Sequence, residues 1–396
     1  MSNDTFDVAA AGHICFDIIP KFFDTGARQI GEIMTPGKLV NVGPVATSTG
    51  GPVSNTGIGL HILGMDVKFM AKVGDDAFGK AIIERLNQVA SADGIKVEKG
   101  GHTSYTVALA PPGIDRIFLH HPGTNNTFVS GDVNYDLVGK AKSFHLGYPP
   151  LMHDLFSNGG EELIATFRKA KQAGATTSLD MSLPDPNSES GKAPWDKILT
   201  KLLTYVDIFL PSIEEAFFMM QRDRFLKMKK DHGGAELIDF FSADDYTALA
   251  ERFLELGSKI VCLKSGHRGF YIRTANKARF ADMGRAKPAN ADNWSDRELW
   301  CPAFNVDPIA SATGSGDSSI AGFLSAFLRG ESIERALKLA NTTGSLNLTQ
   351  LDALSGLKNW DETSKMADDK SRKQNDFEIK TPGWSFDNEL LMWVRK

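Results

Sequence analysis

Little in this sequence points to a membrane, a secreted scaffold or a nucleic-acid surface. No apolar run among its 396 residues approaches the roughly 20 needed to cross a bilayer. There are only three cysteines, Cys15, Cys262 and Cys301, and their odd number and wide spacing argue against a disulfide framework or a cysteine metal cluster. They read as reduced thiols. An excess of positive charge is missing as well: 44 Lys and Arg against 49 Asp and Glu leave a net −5, which argues against a phosphate backbone as main partner. A small anion needs only a local pocket. The stretch MSNDTFDVAAAGHICFDIIP lacks the basic start and long apolar core of a secretion signal, so a cytoplasmic protein is expected, and no internal repeat is found. Apolar residues at 42% and charged residues at 23% are ordinary for a globular protein. The length exceeds what one compact core usually serves, which points to a large domain with an appended subdomain.

The most informative stretch is Ser311 to Arg329, S-A-T-G-S-G-D followed by S-S-I-A-G-F-L-S-A-F-L-R. The glycines of Thr313-Gly314-Ser315-Gly316 permit a turn whose successive N–H groups converge on one point, as an anion requires. Apolar residues at 320, 323, 324, 327 and 328 have helical spacing, and Gly330 is placed to end the helix. Asp317 then lies in the first turn. The small residues Ser318, Ser319, Ala321 and Gly322 would let this helix lie close to a neighbouring strand. A carboxylate beside an anion cradle suits phosphoryl transfer; a capped glycine-rich loop is the bland alternative.

Along the chain, Phe6 to Ile19 reads as a first buried strand, with Asp17 either binding a hydroxyl-bearing ligand or meeting a backbone donor. Residues 21–48 are expected to supply short strands of a small sheet. Gly50 and Gly51 free the backbone before a helix that starts near Asn55, whose amide offers a donor and an acceptor to a polyol. Asp75 and Asp76 read as a helix cap. Ser104–Ala110 and Arg116–His120 form a predicted hairpin; His120 and His121, being adjacent on a strand, point to opposite faces and are not a metal pair.

From Ser143 onward short apolar strands alternate with helices, the pattern of a parallel sheet covered on both faces. Ligands of such sheets gather at the carboxyl ends of the strands. Asp180, Ser212, Glu215, Lys264, Gly266 and the glycine turn all follow predicted strands and would share that edge. Glu215 fits either a Mg²⁺-water cluster or a capping box with Ser212. Lys264-Ser265-Gly266-His267-Arg268-Gly269 either borders a nucleotide or is a turn between strands. Residues 222–247 and 275–300 look like polar surface insertions. The charged run 361–374 reads as a solvated linker, with Trp384 to Val394 docking back as a tail.

Two long motifs now resemble one family. G-G-P-V-S-N-T-G-I-G-L-H-I-L-G with K-V-G-D-D-A-F-G is similar to the first signature of the PfkB, or ribokinase-like, kinases of carbohydrates and nucleosides, and A-T-G-S-G-D-S-S-I-A-G-F to the second. A-N-T-T-G-S-L-N-L-T-Q at 340–350 resembles the helix after the catalytic loop. The resemblance implies a three-layer α/β/α domain over 1–360, a mostly parallel central sheet, a discontinuous β lid from 13–50 and 103–122, and a separate segment 361–396. It implies transfer of the ATP γ-phosphoryl to a primary hydroxyl, with Asp317 as base and Gly314, Ser315 and Gly316 as anion hole. Asp17, Gly50, Gly51 and Asn55 would bind substrate; Lys264, Gly266, Gly269 and Asn341 would line the nucleotide site; Glu215 would act near Mg²⁺. A sugar is the expected acceptor, with a nucleoside kinase and a non-catalytic sugar-binding regulator as alternatives. Lid pairing into a homodimer follows by analogy alone. Ser311 and Ala312 replace the usual Asp and Thr, which leaves monovalent-cation dependence open, and Ser212 replaces the usual Asn of N-x-x-E.

Overall fold

The computed structural model describes residues 5–114 and 116–396. Among them the strands, in chain order, are β1 (Phe6–Gly12), β2 (Cys15–Pro20), β3 (Val45–Gly50), β4 (Val67–Met70), β5 (Lys72–Gly74), β6 (Lys96–Glu98), β7 (Tyr105–Leu109), β8 (Ile117–His121), β9 (Ala141–Gly147), β10 (Thr176–Leu179), β11 (Ile208–Phe209), β12 (Ile260–Lys264), β13 (Phe270–Thr274), β14 (Glu298–Cys301), β15 (Trp384–Asp387) and β16 (Met392–Arg395). Ten of these build one sheet in the order β15-β16-β14-β13-β12-β11-β10-β9-β1-β4. From β4 to β12 neighbours run parallel; β13, β14, β16 and β15 extend the sheet antiparallel.

Side chains alternate across this sheet. Val8 and Ala10 face one apolar cluster while Ala9 and Ala11 face the other, and Ile260 and Cys262 oppose Val261 and Leu263 in the same way. Both faces therefore need cover. Helices Glu161–Gln172, Trp195–Leu202, Ile213–Met220 and Ala243–Leu256 cover one; Pro52–Ile62, Ala77–Asn87, Ser315–Leu328 and Ile333–Asn347 cover the other. The result is the three-layer α/β arrangement predicted from the alternation. No helix among the described residues is long and apolar enough to cross a membrane.

A second sheet, β3-β2-β7-β8, stands apart from the first. Its strands fall within the two segments 13–50 and 103–122, but between β2 and β3 the chain is irregular apart from a short helix, Ile30–Ile33. The single strand expected over Phe6–Ile19 is in fact two strands in two sheets. The chain leaves the central sheet at His13 and Ile14, where the Asn125 amide accepts from Ile14 N (3.3 Å) and donates to Ile14 O (2.8 Å). Val67–Val73 is broken likewise at Ala71, since β5 pairs with β6 outside the main sheet. These changes of sheet leave no trace in an apolar pattern that runs straight through them.

Two surface readings are corrected. Residues 275–300 are not merely an insertion, because Trp294 is buried and Glu298–Cys301 is a strand of the central sheet. The run read as a solvated linker contains the helix Trp360–Asp368, whose Asn359 cap accepts from Glu362 N. The tail beyond it extends the main sheet, β16 pairing with β14 through Leu299–Val394 and Trp300–Trp393. A boundary at 360 would cut the sheet from two of its own strands.

The helix Ser315–Leu328 also packs differently from expectation. Its small residues serve close contact with helices: a Cβ on Gly322 would lie 2.3 Å from Thr343 Oγ1, and one on Gly59 would lie 3.0 Å from Ala321 Cβ. Helix ends are thereby held in fixed relation to one another, which matters for the site.

The terminal hairpin gives a first test. Deleting residues 376–396 removes the buried Trp384 and Met392 and uncovers the β14 edge. At about 1.5–3 kcal/mol per large apolar side chain, the loss is at least ~3 kcal/mol. Urea denaturation should show a clearly lower midpoint for the truncated chain; an unchanged midpoint would mark the hairpin as passive.

Candidate active site

At one edge of the central sheet β1 and β9 finish side by side at Gly12 and Gly147. A Cβ on Gly12 would fall 2.4 Å from Gly147 O, and one on Gly147 2.4 Å from Pro52 Cβ. Only glycine lets the start of the Pro52–Ile62 helix abut this edge so closely. Gly51 precedes that helix at φ 85°, and a Cβ there would lie 2.6 Å from His13 Nδ1. Gly50 is as tightly placed, its Cβ position being 2.3 Å from Asp17 Oδ2.

The same edge receives the start of the Ser315–Leu328 helix. Gly314 is its N-cap at φ 77°, and no side chain caps the turn. A helix start left uncapped in this way presents N–H donors and a positive dipole end. Asp317 sits in the first turn, buried. Its Oδ2 accepts from Asn55 Nδ2 at 2.9 Å and from the Tyr148 hydroxyl at 3.0 Å; its Oδ1 has a longer contact, 3.4 Å, from Thr56 Oγ1. A depressed carboxylate pKa is the simple expectation at a helix start. Burial outweighs it: desolvation raises the Asp317 pKa, opposed by Asn55, Lys264, Tyr148 and Thr56.

Behind this carboxylate lies a buried charge cluster. Lys264 Nζ donates to Asp180 Oδ1, and its stem runs beside Gly316, where a Cβ would be 3.7 Å from Nζ. Asp180 is pushed up to about 8, by burial first, with Lys264 opposing and Glu215 and Asp317 adding repulsion. Glu215 is raised by burial too, against Lys264 and Ser212. Ser212 N donates to Glu215 Oε2 at 2.7 Å while Glu215 N donates to Ser212 Oγ at 3.2 Å, so the capping box is real and occupies one carboxylate oxygen. Asp180 Oδ2 is buried without a partner.

The small sheet roofs the opposite side. Its register aligns Ser48, Asp17, Thr106 and His120 across four strands on one face, an entirely polar row. Thr106 Oγ1 lies 3.0 Å from His120 Nδ1, and Cys15 Sγ donates to Asp17 Oδ1 at 3.3 Å. Burial raises the Asp17 pKa to about 6. His13 packs beneath, its ring 5.5 Å from His120 and 6.3 Å from Tyr148, with neither nitrogen bonded and its pKa lowered by burial to about 3. On the other face Phe16 stacks on Phe78 at 5.0 Å, and His121 meets Tyr105. At the rim Arg116 reaches the anion turn, donating to Ser311 Oγ (2.8 Å) and to Thr313 Oγ1.

The structure therefore brings Asp317, Gly314, Ser315, Gly316, Asn55, Lys264 and Glu215 to one edge, beneath Asp17, Gly50 and Gly51. Gly266, Gly269 and Asn341 lie about a neighbouring turn: Asn341 Nδ2 donates to the Cys301 and Pro302 carbonyls at 2.9 and 3.0 Å, and a Cβ on Gly269 would lie 2.1 Å from Cys301 O. Sequence reasoning gave no role to His13, Thr56, Tyr148 or Arg116, and placed Asp180 at the edge without a task. Asp76 is a cap, accepting from Gly79 N at 2.9 Å. The sole hint of Tyr148 was its position at a strand end between Gly147 and two prolines.

A mostly parallel sheet with a buried carboxylate at an uncapped helix start, roofed by a small second sheet with a polar row on one face, is the arrangement that the resemblance to ribokinase-like kinases implies. Residues 8–360 match the model of the pfkB family carbohydrate kinases. An uncharacterized sugar kinase of Archaeoglobus fulgidus is 23% identical over 300 residues, covering 76% of this chain and 98% of the relative. Fructokinase-2 of Oryza sativa subsp. japonica is 23% identical over 329 residues, covering 81% and 84%. The Arabidopsis thaliana ribokinase complexed with ribose and ATP superposes with a TM-score of 0.67 at 17% identity, covering 92% of this chain and 99% of that one. The chain belongs to the PfkB family of carbohydrate kinases.

Asp17 and His13 impose opposite pH dependences. Asp17 titrates at about 6 folded and near 3.8 unfolded, so its stabilising contribution is full below 3.8 and lost as pH rises through 6. His13, near 6.5 unfolded and about 3 folded, contributes above 6.5 and loses that contribution as pH falls through 3. Thermal melts should show Asp17→Asn more stable than the parent at pH 7.5, with the advantage shrinking toward pH 4. His13→Gln should show its advantage at the acid end instead. Parallel Tm–pH curves for parent and variants would refute both assignments.

Proposed function

We propose that this chain transfers the γ-phosphoryl group of ATP to a primary hydroxyl of a sugar or sugar derivative. The observation that carries this reading is Asp317: a buried carboxylate held by Asn55 at the mouth of an uncapped helix, beneath a row of hydroxyl, carboxylate and imidazole groups. Asp17 and Asn55, whose Oδ1 has no partner, would take the hydroxyls of the acceptor against Gly50 and Gly51. Donors from the 314–316 turn would stabilise charge on the moving phosphoryl oxygens. Asp317 would receive the hydroxyl proton late, in a transition state where positioning does most of the work.

A polar roof favours a polyol over a nucleobase; of the three aromatics that leave base stacking open, Phe16, Phe22 and Phe23, the first is engaged by Phe78 on the far face. The intact Asp317 constellation favours a catalyst over a regulator that merely binds sugar.

The nucleotide would lie toward the turn holding Lys264, Gly266 and Gly269, with Asn341 fixing the 301–303 backbone. For the accompanying Mg²⁺ the residues fit: Asp180 has a buried unpartnered oxygen, and Asp180, Glu215 and Asp317 repel one another with Lys264 among them. Among the described residues no three such groups converge as a ready-made metal cage. Glu215 and Asp180 would hold a largely hydrated ion, which when bound neutralises phosphate charge. Cytoplasmic location and a homodimer through the small sheet belong to the same proposal.

The test is Asp317→Asn in a coupled assay of ADP formation over a panel of sugars, polyols and nucleosides. Loss of a general base predicts a kcat lower by about 10²–10⁴-fold, with the KM for ATP little changed. Near-parental turnover in this variant would remove Asp317 from the reaction.

A further inference from the structure

Tyr148 is held where a tyrosine is costly to hold. It directly follows Gly147 at the end of β9, and its backbone lies at φ 61°, ψ 42°, the left-handed region that bulky side chains avoid. Pro149 and Pro150 follow and open a short 3₁₀ turn, and Tyr148 N donates to Asp180 O at 3.3 Å, so the strained geometry is fixed from both sides. Strain of this kind persists where something else is gained by it. What is gained here is the placement of one hydroxyl. The ring turns back beneath the sheet edge, packs against His13 and sets its hydroxyl 3.0 Å from Asp317 Oδ2, 169 residues further on.

That contact makes the two oxygens of Asp317 unequal. Oδ2 has two good donors, Asn55 and Tyr148, whereas Oδ1 has a 3.4 Å contact with Thr56. Burial, with Asp317 adding to it, pushes the Tyr148 phenol well above its ordinary pKa, so it remains a donor throughout the neutral range.

We propose that Tyr148 is a positioning residue that fixes the Asp317 carboxylate through Oδ2 and so reserves Oδ1 for the acceptor's proton. The inference rests on the reading of Asp317 as base. In the step itself the acceptor O–H bond breaks and its proton passes to Oδ1. The acceptor oxygen bonds to the γ-phosphorus, and the bond from that phosphorus to the leaving ADP oxygen breaks. Without the phenol hydroxyl the carboxylate would lose one of its two anchors and one of the donors that favour its ionised form.

Tyr148→Phe keeps the ring and removes only the hydroxyl. In the full chain it should lower kcat about 10- to 100-fold, leave the KM for ATP within about twofold, and move the acidic limb of the kcat/KM–pH profile to higher pH. A crystal structure of the variant should show Asp317 turned or in two rotamers, a readout that needs no turnover. An unmoved pH profile with parental kcat and a single unchanged rotamer would overturn the proposal and leave Tyr148 a core residue. Parental kcat with raised ATP hydrolysis in the absence of acceptor would overturn it differently, making the hydroxyl a stand-in for the acceptor. Asp317→Asn separates the two levels: if it retains turnover, the base reading fails whatever Tyr148→Phe does, and if it is dead while Tyr148→Phe is parental, only the positioning role fails.

Discussion

The interior end of Lys264 is the constraint on which the rest of the site depends. Its ammonium is largely enclosed by three carboxylates, the buried Asp180 and Asp317 and the partly buried Glu215, and their attraction raises its pKa against the desolvation that lowers it. A buried ion pair contributes little net stability compared with well-packed apolar groups, but removing one partner leaves charge stranded and costs about 3–5 kcal/mol. The cluster is thus better explained by chemistry than by stability. With one cation among three acids, their mutual repulsion and burial make it costly to keep all three ionised, and Asp180 is pushed up to about 8.

Everything around the cluster serves to hold that imbalance in place. Strands β9, β10, β11 and β12 run parallel, so their carboxyl ends deliver Gly147, Asp180, Ser212 and Lys264 to one edge. Small residues let three helices approach that edge closely, and the glycines at 12, 50, 51 and 147 keep it free of side chains. Two of the three residues that depart from the family pattern have local partners. Ser212 retains Glu215 through its backbone N–H and hydroxyl, and Ser311 takes a guanidinium donor from the small sheet.

Much of this was legible in the sequence because it rests on local rules. Helical spacing after Gly316, each strand–helix step of the alternation from Ser143 onward and the paired glycines at 50 and 51 are written in short stretches of neighbouring residues. The two long motifs then linked distant segments that no periodicity connects. What escaped was whatever depends on where a chain turns between layers. The apolar run through His13 and Ile14 carries no mark of the change of sheet that Asn125 enforces from 111 residues away. The charged run 361–374 hid a helix because its composition suits solvent, and the apolar Leu299, Trp300 and Cys301 were overlooked at the end of a stretch that is polar as a whole. Tyr148 and Arg116 act through tertiary contacts at 169 and 195 residues' remove, beyond any local signal.

The bond between Asn55 and Asp317 joins residues 262 apart, one on each of two helices packed through Gly59 and Ala321. Closing such a contact costs loop entropy that neither helix offsets alone, so the site exists only once the two helices are packed against each other. A substitution that shifts either helix therefore moves one partner relative to the other even where the central sheet is undisturbed. Catalytic competence in this chain is therefore a more demanding state than foldedness, and substitutions far from the pocket can silence it while leaving a compact protein behind.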